Sequence, residues 1–397
     1  MTSTAPKSPT PLFSVLERAA RWFIAQRPSA IDYVIIIGGF VVLWALALHF
    51  NDQYYYYHDS AHYVAMSLWF SGMPRSEAFQ VVYDWHLQMG YEPNTSEAGL
   101  FDWGLVKPRV ILPLMAVPFV WIFGKTGLAV LTGLLTLLLL LALYWVLRRS
   151  FGRLPALAVV VLVLSSQYLF AFFTGMLTES LSALWGVASL VLAYRYQKSP
   201  HWVPIAGLVL VTALSAFTRQ ATLIVAGAFV VAWALSLLIK QARRRWLAPM
   251  LAVAATSIGV QLLQSVLFPF SQSNQFESMT GADSVGGAIL AVPRIIRQIL
   301  TGDFQKFISE DPVIIVIIGL ALLSAILFWR RTESHLLLGA ILAIALYNIT
   351  NGNPTQFRYA LPGFVFYAMS IGLLFSHVQS SVGASTDPGL VNQNSVS

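Results

Sequence analysis

Long apolar runs, most of them close to the length of a membrane-spanning helix, dominate this chain of 397 residues. A helix needs about 20 apolar residues to cross the hydrocarbon core of a bilayer. Charged residues make up 10% of the chain, whereas a soluble domain carries about 25%. The runs are continuous and do not alternate with polar residues, which favours helices over a transmembrane β-barrel. The sequence therefore predicts an all-α, polytopic membrane helix bundle.

The apolar runs predict about ten to eleven membrane spans. They cover residues 31–50, 126–147, 154–173, 178–196, 202–217, 221–239, 246–270, 312–329, 335–350 and 358–377. A shorter apolar segment, 110–124, contains Pro113 and Pro118 and would be about 22 Å long as a helix. We expect this segment to be re-entrant, or to form the first part of a bent helix, rather than to cross the membrane independently.

Polar composition at both ends of the chain predicts two tails around one membrane domain. Residues 1–30 are polar and basic, and the run after them is too long for a signal peptide, so they are expected to form a cytoplasmic tail. Residues 380–397 are rich in Ser, Asn and Gly and are expected to be disordered. The membrane domain is predicted to occupy 31–379.

The formal net charge of +7 is explained by the rule that Lys and Arg accumulate in cytoplasmic loops, so we expect no nucleic-acid partner. The basic residues of the short loops are Arg148, Arg149, Arg153, Lys198, Lys240, Arg243, Arg244, Arg245, Arg330 and Arg331. If 110–124 does not cross, these loops and both termini lie on the cytoplasmic side. The polar segments 51–109, 174–180, 218–220, 271–311 and 348–362 then lie on the extracytoplasmic side.

Two of these outer loops contain segments with helical patterning. Residues 60–72 and 76–89 in the first loop, and 288–309 in the later one, combine apolar positions with aromatic or basic residues. Such segments are typical of helices that lie in the membrane interface. The chain has no cysteine, which excludes disulfides, thiolate metal sites and a cysteine nucleophile.

Asp59 follows the first apolar run, within the segment 57–63 (YHDSAHY). A carboxylate at the mouth of a membrane bundle is costly unless it has a function. Asp59 is a candidate general base for a hydroxyl nucleophile, although the segment by itself favours a solvated Asp or one that caps the helix that follows. His58 and His62 lie beside it, so the three side chains form a possible metal site that we do not favour.

Basic residues also occur on the predicted outer face, against the general trend. Arg219 and Arg358 each adjoin a predicted span, and each can hold a phosphate or anchor in lipid headgroups. Two such residues together favour a bound anion. Glu179 begins a span, where it either stabilises the helix N-terminus or contacts a substrate. Lys107 and Arg109 precede the short segment 110–124 and can reach the same anion or the headgroups.

As a set, these motifs resemble those of the GT-C superfamily of membrane glycosyltransferases, in the aminoarabinose and protein mannosyl transferase branches. The matching motifs are 58–63 (HDSAHY), 107–109 (KPR), 112–114 (LPL), 148–153 (RRSFGR), 177–181 (LTESL), 218–220 (TRQ) and 358–362 (RYALP). The resemblance covers most of 31–377. It implies a polyprenyl-phosphate sugar donor, a lipid, glycan or protein acceptor, and an active site on the extracytoplasmic face of a bacterial inner membrane.

The resemblance also assigns roles to single residues. Asp59 would be the base that activates the acceptor, and Arg219 and Arg358 would bind the donor phosphate. The other substrate-binding candidates are His58, His62, Lys107, Arg109, Glu179, Gln356 and Tyr359. The family motif has an adjacent acidic pair where this chain has one carboxylate, so a metal cofactor is not expected. Acceptor recognition would come from loops 51–109 and 271–311.

A single carboxylate opposite a cationic phosphate site favours direct displacement with inversion at the sugar. The alternative class is a transporter or flippase of a lipid-linked sugar, which would also need many spans and polar residues. Transporters often have inverted repeats and broken helices at the bilayer midplane. Here no repeat is evident and the charges lie at the ends of spans, which favours the enzyme.

Overall fold

The computed structural model describes residues 30–50, 55–91, 96–104, 106–220, 222–239, 243–269, 284–351 and 357–385. This part of the chain is helical throughout and contains no strand, which confirms the all-α prediction. The helices are α1 (Ala30–Phe50), α2 (Ser60–Phe70), α3 (Arg75–Gln88), α4 (Glu97–Asp102), α5 (Ile111–Phe123), α6 (Gly127–Phe151), α7 (Arg153–Ser165), α8 (Gln167–Thr174), α9 (Glu179–Lys198), α10 (Trp202–Thr218), α11 (Thr222–Leu238), α12 (Arg243–Leu267), α13 (Val285–Glu310), α14 (Pro312–Leu327), α15 (Thr332–Asn351) and α16 (Phe364–Ser385).

Five helical stretches are long and apolar enough to cross a membrane, and up to seven if each of two bent pairs is one span. The five are Ala30–Phe50, Ile111–Phe151, Arg245–Leu267, Thr332–Ile349 and Arg358–Ser381. The bent pairs are α7 with α8 and the larger part of α13 with α14. Helices α10 and α11 are apolar but have 17 residues each. The chain is therefore a helical protein with several candidate membrane spans, and the count of ten to eleven stays a prediction.

The stretch Ile111–Phe151 contains a reversal of the chain. Helix α5 ends at Gly124, whose φ of +59° is accessible to glycine at little cost. A Cβ atom added to Gly127 would lie 2.5 Å from the backbone of Phe119, so the start of α6 packs closely against the end of α5. With 13 residues, α5 is about 20 Å long and shorter than a bilayer core. This geometry agrees with a segment that folds back.

A buried ion pair joins the start of α1 to the turn between α6 and α7. Arg153 Nη2 lies 2.6 Å from Asp32 Oδ1, and the Tyr144 hydroxyl donates to Asp32 Oδ2 at 2.5 Å. Asp32 has no exposed surface. Because α1 carries Asp32 in its first turn, the α6–α7 turn with its arginines lies at the same end of the bundle as the beginning of α1.

The Arg330–Arg331 turn belongs to that end as well. The ring of Phe328, just before this turn, lies 5.1 Å from the ring of His377 in α16. One and a half turns earlier in α16, a Cβ atom added to Gly372 would lie 2.7 Å from the Phe151 ring at the end of α6. The sequence predicted that these basic loops share a side, and their common location at one end of the bundle agrees with it.

The first outer loop forms helices where the patterning predicts them. Helices α2 and α3 closely match the predicted segments 60–72 and 76–89. The later segment is α13, which is bent by 119° from α14. The sequence placed the apolar residues of α13 on one face, but the structure divides them. Ile295 and Ile299 are buried, whereas Leu290 and Leu300 are mostly exposed. The exposed side of α13 thus carries apolar residues together with the basic residues Arg297 and Lys306, a combination typical of an interfacial helix.

The structure describes only part of the two predicted tails. Helix α16 continues to Ser385 and therefore includes residues 380–385 of the predicted C-terminal tail. These residues contain no proline and no charged residue that would interrupt the helix. The rest of that tail and residues 1–29 lie outside the described part of the chain.

Candidate functional site

Four charged side chains from distant parts of the chain meet at the opposite end of the bundle from Asp32. Arg219 Nη1 lies 2.5 Å from Glu179 Oε1, and the Arg358 Nε–H donates to the same oxygen. Arg358 Nη2 lies 2.7 Å from Asp59 Oδ2. We call these four residues the arginine–carboxylate cluster. The structure thus brings Arg219 and Arg358 together at the Glu179 carboxylate, and their binding to one phosphate stays a prediction.

Helix ends position each member of the cluster. Asp59 directly precedes α2, Glu179 is the first residue of α9, and Arg219 directly follows α10. Arg358 opens the 3₁₀ turn that leads into α16. Charges at helix ends keep their polar groups out of the apolar middle of the bundle, where they would be most costly.

The cluster has a buried part and an accessible part. Glu179 is fully buried and Arg219 is 1% exposed. The side chains of Arg358 and Asp59 are 18% and 27% exposed. A ligand that arrives from solvent therefore meets Arg358 and Asp59, while Glu179 lies beneath them and fixes the positions of both guanidinium groups.

A third guanidinium belongs to the same region. Arg109 is buried, its Nη1 donates to the Tyr63 hydroxyl at 2.8 Å, and its charge acts on Asp59. Among the described residues, three guanidinium groups then face two carboxylates, which leaves one positive charge in excess within this part of the chain. A buried unpaired charge is costly, so this arrangement favours a bound anion.

Several buried polar atoms around the cluster have no hydrogen-bond partner within the described residues. They are Glu179 Oε2, Arg219 Nε, Arg109 Nε, Thr178 Oγ1 and Ser180 Oγ. Buried polar groups in folded proteins are nearly always paired, with protein or with ordered water. Their concentration here is expected of a pocket that holds a polar ligand or water.

The backbone next to Arg358 is strained. Phe357 has φ +68°, in the left-handed region that bulky residues avoid. Its ring packs edge-on against Tyr367 at 5.2 Å, which helps to hold this conformation. Such strain, typically about 1–3 kcal/mol, persists where the surrounding structure enforces it and occurs often at functional sites. Here it fixes the direction in which the chain presents Arg358.

Tyr359, the next residue, also lies at the cluster. The Arg219 guanidinium carbon is 5.0 Å from the centre of the Tyr359 ring, within cation–π range. The Tyr359 ring, in the turn that begins at Arg358, therefore lies against the Arg219 guanidinium group. Tyr359, a predicted substrate-binding residue, therefore lies beside the cluster. Gln356, another such candidate, lies outside the described residues.

Asp59 is ionised and does not cap α2. Burial by itself would raise the pKa of the Asp59 carboxyl, but the charge and hydrogen bond of Arg358, with Arg109 further away, lower the pKa to about 2. Its side chain makes no capping hydrogen bond to α2. The helix-cap interpretation is therefore wrong. The carboxylate instead forms an ion pair, which makes it a weak base as long as Arg358 is bound to it.

His62 and His58, at the start of α2, differ in burial and in their partners. His62 is buried and its Nδ1 is 2.8 Å from the carbonyl oxygen of Leu100. His58 is exposed, with its ring 5.2 Å from the ring of His86. Within the described ranges, no group of three His, Asp or Glu side chains is arranged to hold a metal ion.

Lys107 does not join the cluster. Its ammonium group lies 3.0 Å from Asp102 Oδ1, and Arg75 binds the other oxygen of that carboxylate. These side chains are substantially exposed. Of the two basic residues in the 107–109 motif, only Arg109 contacts the site, through Tyr63, whereas Lys107 pairs with Asp102.

The site also contains residues that sequence reasoning missed. Tyr63 binds Arg109, and Thr178 and Ser180 flank Glu179 with unpaired hydroxyls. The one available signal was the run of polar residues 178–180 at the start of an apolar span.

No protein-family model matches the chain, and a search of curated proteins finds no relative.

Proposed function

We propose that the protein is an integral membrane glycosyltransferase of the GT-C type. It would move a sugar from a polyprenyl-phosphate donor to a lipid, glycan or protein acceptor on the extracytoplasmic face of a bacterial inner membrane. The observation that carries this proposal is the arginine–carboxylate cluster with Arg109, which has one cation in excess among the described residues and lies at one end of an apolar helix bundle.

The charge of the cluster fits the donor. A polyprenyl-phosphate sugar is a phosphodiester with one negative charge, and one such charge balances the excess cation. Arg358 is the accessible guanidinium, and a planar guanidinium can bind two phosphate oxygens at once. Glu179 and Arg219 support it from below without direct access to solvent.

An apolar helix that begins beside the site fits the lipid part of the donor. Helix α5 begins two residues after Arg109. Trp121 and Ile122, near its other end, are about 70% exposed, and the Trp121 indole donates to the Ser71 carbonyl at 3.0 Å, at the far end of α2 from Asp59. A polyprenyl chain that lies along α5, with its phosphate at the start of that helix, would therefore reach from the site about 15 Å along the bundle.

The chemistry follows from these positions. As the bond between the anomeric carbon and the phosphate oxygen breaks, negative charge grows on the phosphate, and Arg358 stabilises that charge. The acceptor hydroxyl attacks from the opposite face of the sugar, so the reaction inverts the configuration. When the phosphate takes over Arg358, Asp59 loses its ion pair and its pKa rises. Donor binding would therefore change the pKa of the Asp59 carboxyl group.

The alternative, a transporter or flippase of a lipid-linked sugar, is less well supported. Transport sites in membrane bundles lie near the bilayer midplane. Here the charges lie where α9 begins and α10 ends, that is, at the ends of helices. The proposed enzyme would cross the membrane about ten times, with α10 and α11 as its shorter spans.

Two measurements test the proposal. Native mass spectrometry of the purified protein with added undecaprenyl phosphate should show a bound lipid, which Arg358→Gln should lose and Arg330→Gln, at the other end, should keep. A panel of polyprenyl-phosphate sugars incubated with native membranes should yield free polyprenyl phosphate and a glycosylated product. Movement of an intact lipid-linked sugar across proteoliposomes, without transfer, would establish the transporter instead.

A further inference from the structure

The hydrogen bond of His62 determines which of its ring nitrogens carries a proton. Nδ1 lies 2.8 Å from the Leu100 carbonyl oxygen, which can only accept a hydrogen bond. Nδ1 is therefore the protonated nitrogen, and in the neutral ring Nε2 has a free lone pair. A fixed tautomer of this kind is how proteins orient histidines that exchange protons.

Nε2, the other ring nitrogen of His62, has no hydrogen bond to any of the described residues. The ring is mostly buried and packs against Trp103, with the ring centres 5.1 Å apart. Within the described part of the chain, the Nε2 lone pair is therefore not used by a hydrogen bond.

The groups around His62 keep it neutral but able to accept a proton. Burial lowers the pKa of its imidazole below the ordinary value of 6.5. The charged or titratable groups that act on it are Asp59, His58, Arg109 and His86. Asp59 is three residues earlier, at the start of the same helix, and its carboxylate favours the imidazolium form. Asp59 can therefore stabilise His62 after it has taken a proton.

We propose that His62, through Nε2, is the general base that takes the proton of the acceptor hydroxyl, with Asp59 as the residue that stabilises the resulting imidazolium. This inference rests on the proposed function and names the proton acceptor of the same site. It differs from the role that the family resemblance gives to Asp59.

The proposed step is balanced. The acceptor oxygen forms a bond to the anomeric carbon, and the bond between that carbon and the phosphate oxygen breaks with its electron pair on the phosphate. The hydroxyl proton moves to Nε2 of His62, and the imidazolium later releases it to water. The products are the glycoside and the polyprenyl phosphate. Even after the phosphate has taken over Arg358, a carboxyl group with an ordinary pKa of about 3.9 is a poorer proton acceptor than an imidazole with an ordinary pKa of about 6.5.

Two substitutions at position 62 separate a chemical role from a structural one. In His62→Asn the amide nitrogen can still donate to the Leu100 carbonyl, but the Nε2 lone pair is gone. In His62→Gln the amide reaches the Nε2 position and the Leu100 hydrogen bond is lost. A base role predicts that both variants release polyprenyl phosphate about 10²–10⁴-fold more slowly than the natural protein. A purely structural role predicts that His62→Asn is nearly normal.

The pH dependence of kcat/KM tests the role of His62 independently of the substitutions' effect on rate. For the natural protein, kcat/KM should rise with pH through a midpoint below 6.5 and then level off, as His62 loses its proton. His62→Asn should lack this rise. Normal turnover by His62→Asn, or an unchanged pH profile, would overturn the role of His62. Undecaprenyl phosphate should bind both variants as it binds the natural protein, and its failure to bind the natural protein would instead overturn the proposed function.

Discussion

Arg358 Nη2 lies 2.7 Å from Asp59 Oδ2, although 299 residues separate the two in the chain. The same guanidinium also binds Glu179, so one side chain links an accessible carboxylate to a buried one. Any ligand that binds Arg358 changes the environment of Asp59. The contact between Arg358 and Asp59 would therefore couple donor binding to the acid–base behaviour of the site.

The ion pair of Asp59 should make stability depend on acid pH. Its carboxyl pKa is about 2 in the folded protein and 3.8 in the absence of interactions, so folding favours the ionised form. The stabilisation, about 2 kcal/mol, is present above pH 4 and is lost as the pH falls towards 2. Thermal unfolding in detergent between pH 2 and 6 measures it. Asp59→Asn should lose this dependence, and exposed Asp84→Asn should keep it.

Removal of the shared carboxylate should destabilise the protein strongly. Glu179→Gln leaves Arg219 and Arg358 close together without the charge that holds them, at a cost of about 3–5 kcal/mol. The matched control is Glu97→Gln, because Glu97 forms an exposed ion pair with Arg75 at 3.5 Å, and such pairs contribute at most about 1 kcal/mol. Equal unfolding temperatures for the two variants would contradict a central role for Glu179.

Replacement of Arg358 by lysine should not preserve the site. A lysine ammonium lacks the planar fork that reaches Asp59 and Glu179 together. Arg358→Lys should therefore weaken binding of undecaprenyl phosphate, and Arg358→Gln should weaken it further, by about 2–5 kcal/mol. Titration by native mass spectrometry measures both. Unchanged affinity in Arg358→Gln would show that the phosphate binds elsewhere.

The two ends of the bundle should face opposite sides of the membrane. The natural chain has no cysteine, so single cysteines can be introduced and labelled without background. Cysteines in place of Arg149 and Arg331 should react with an impermeant maleimide from the cytoplasmic side only. Cysteines in place of His58 and the exposed Trp103 should react from the outside only. Labelling of positions 149 and 58 from the same side would refute this topology.

The sequence alone was sufficient for the properties that depend on neighbouring residues. Apolar runs predicted helices, and the patterning of 60–72 and 76–89 predicted α2 and α3, because helical periodicity is local. Pro113 and Pro118 marked 110–124 as unusual, and the structure shows a reversal after it at Gly124. The basic loops could be assigned to one end of the bundle because Lys and Arg accumulate in loops on one side of a membrane, which is read from the composition of each loop.

Contacts between distant residues required the tertiary structure. A glutamate at a helix start has the same local sequence whether it stabilises that helix or is shared by two arginines, and the partners of Glu179 lie 40 and 179 residues away. The tautomer of His62 likewise depends on Leu100, 38 residues further along. Lys107 and Arg109 differ for the same reason. Local sequence determines which segments are helical, whereas the packing of those helices determines which charges meet.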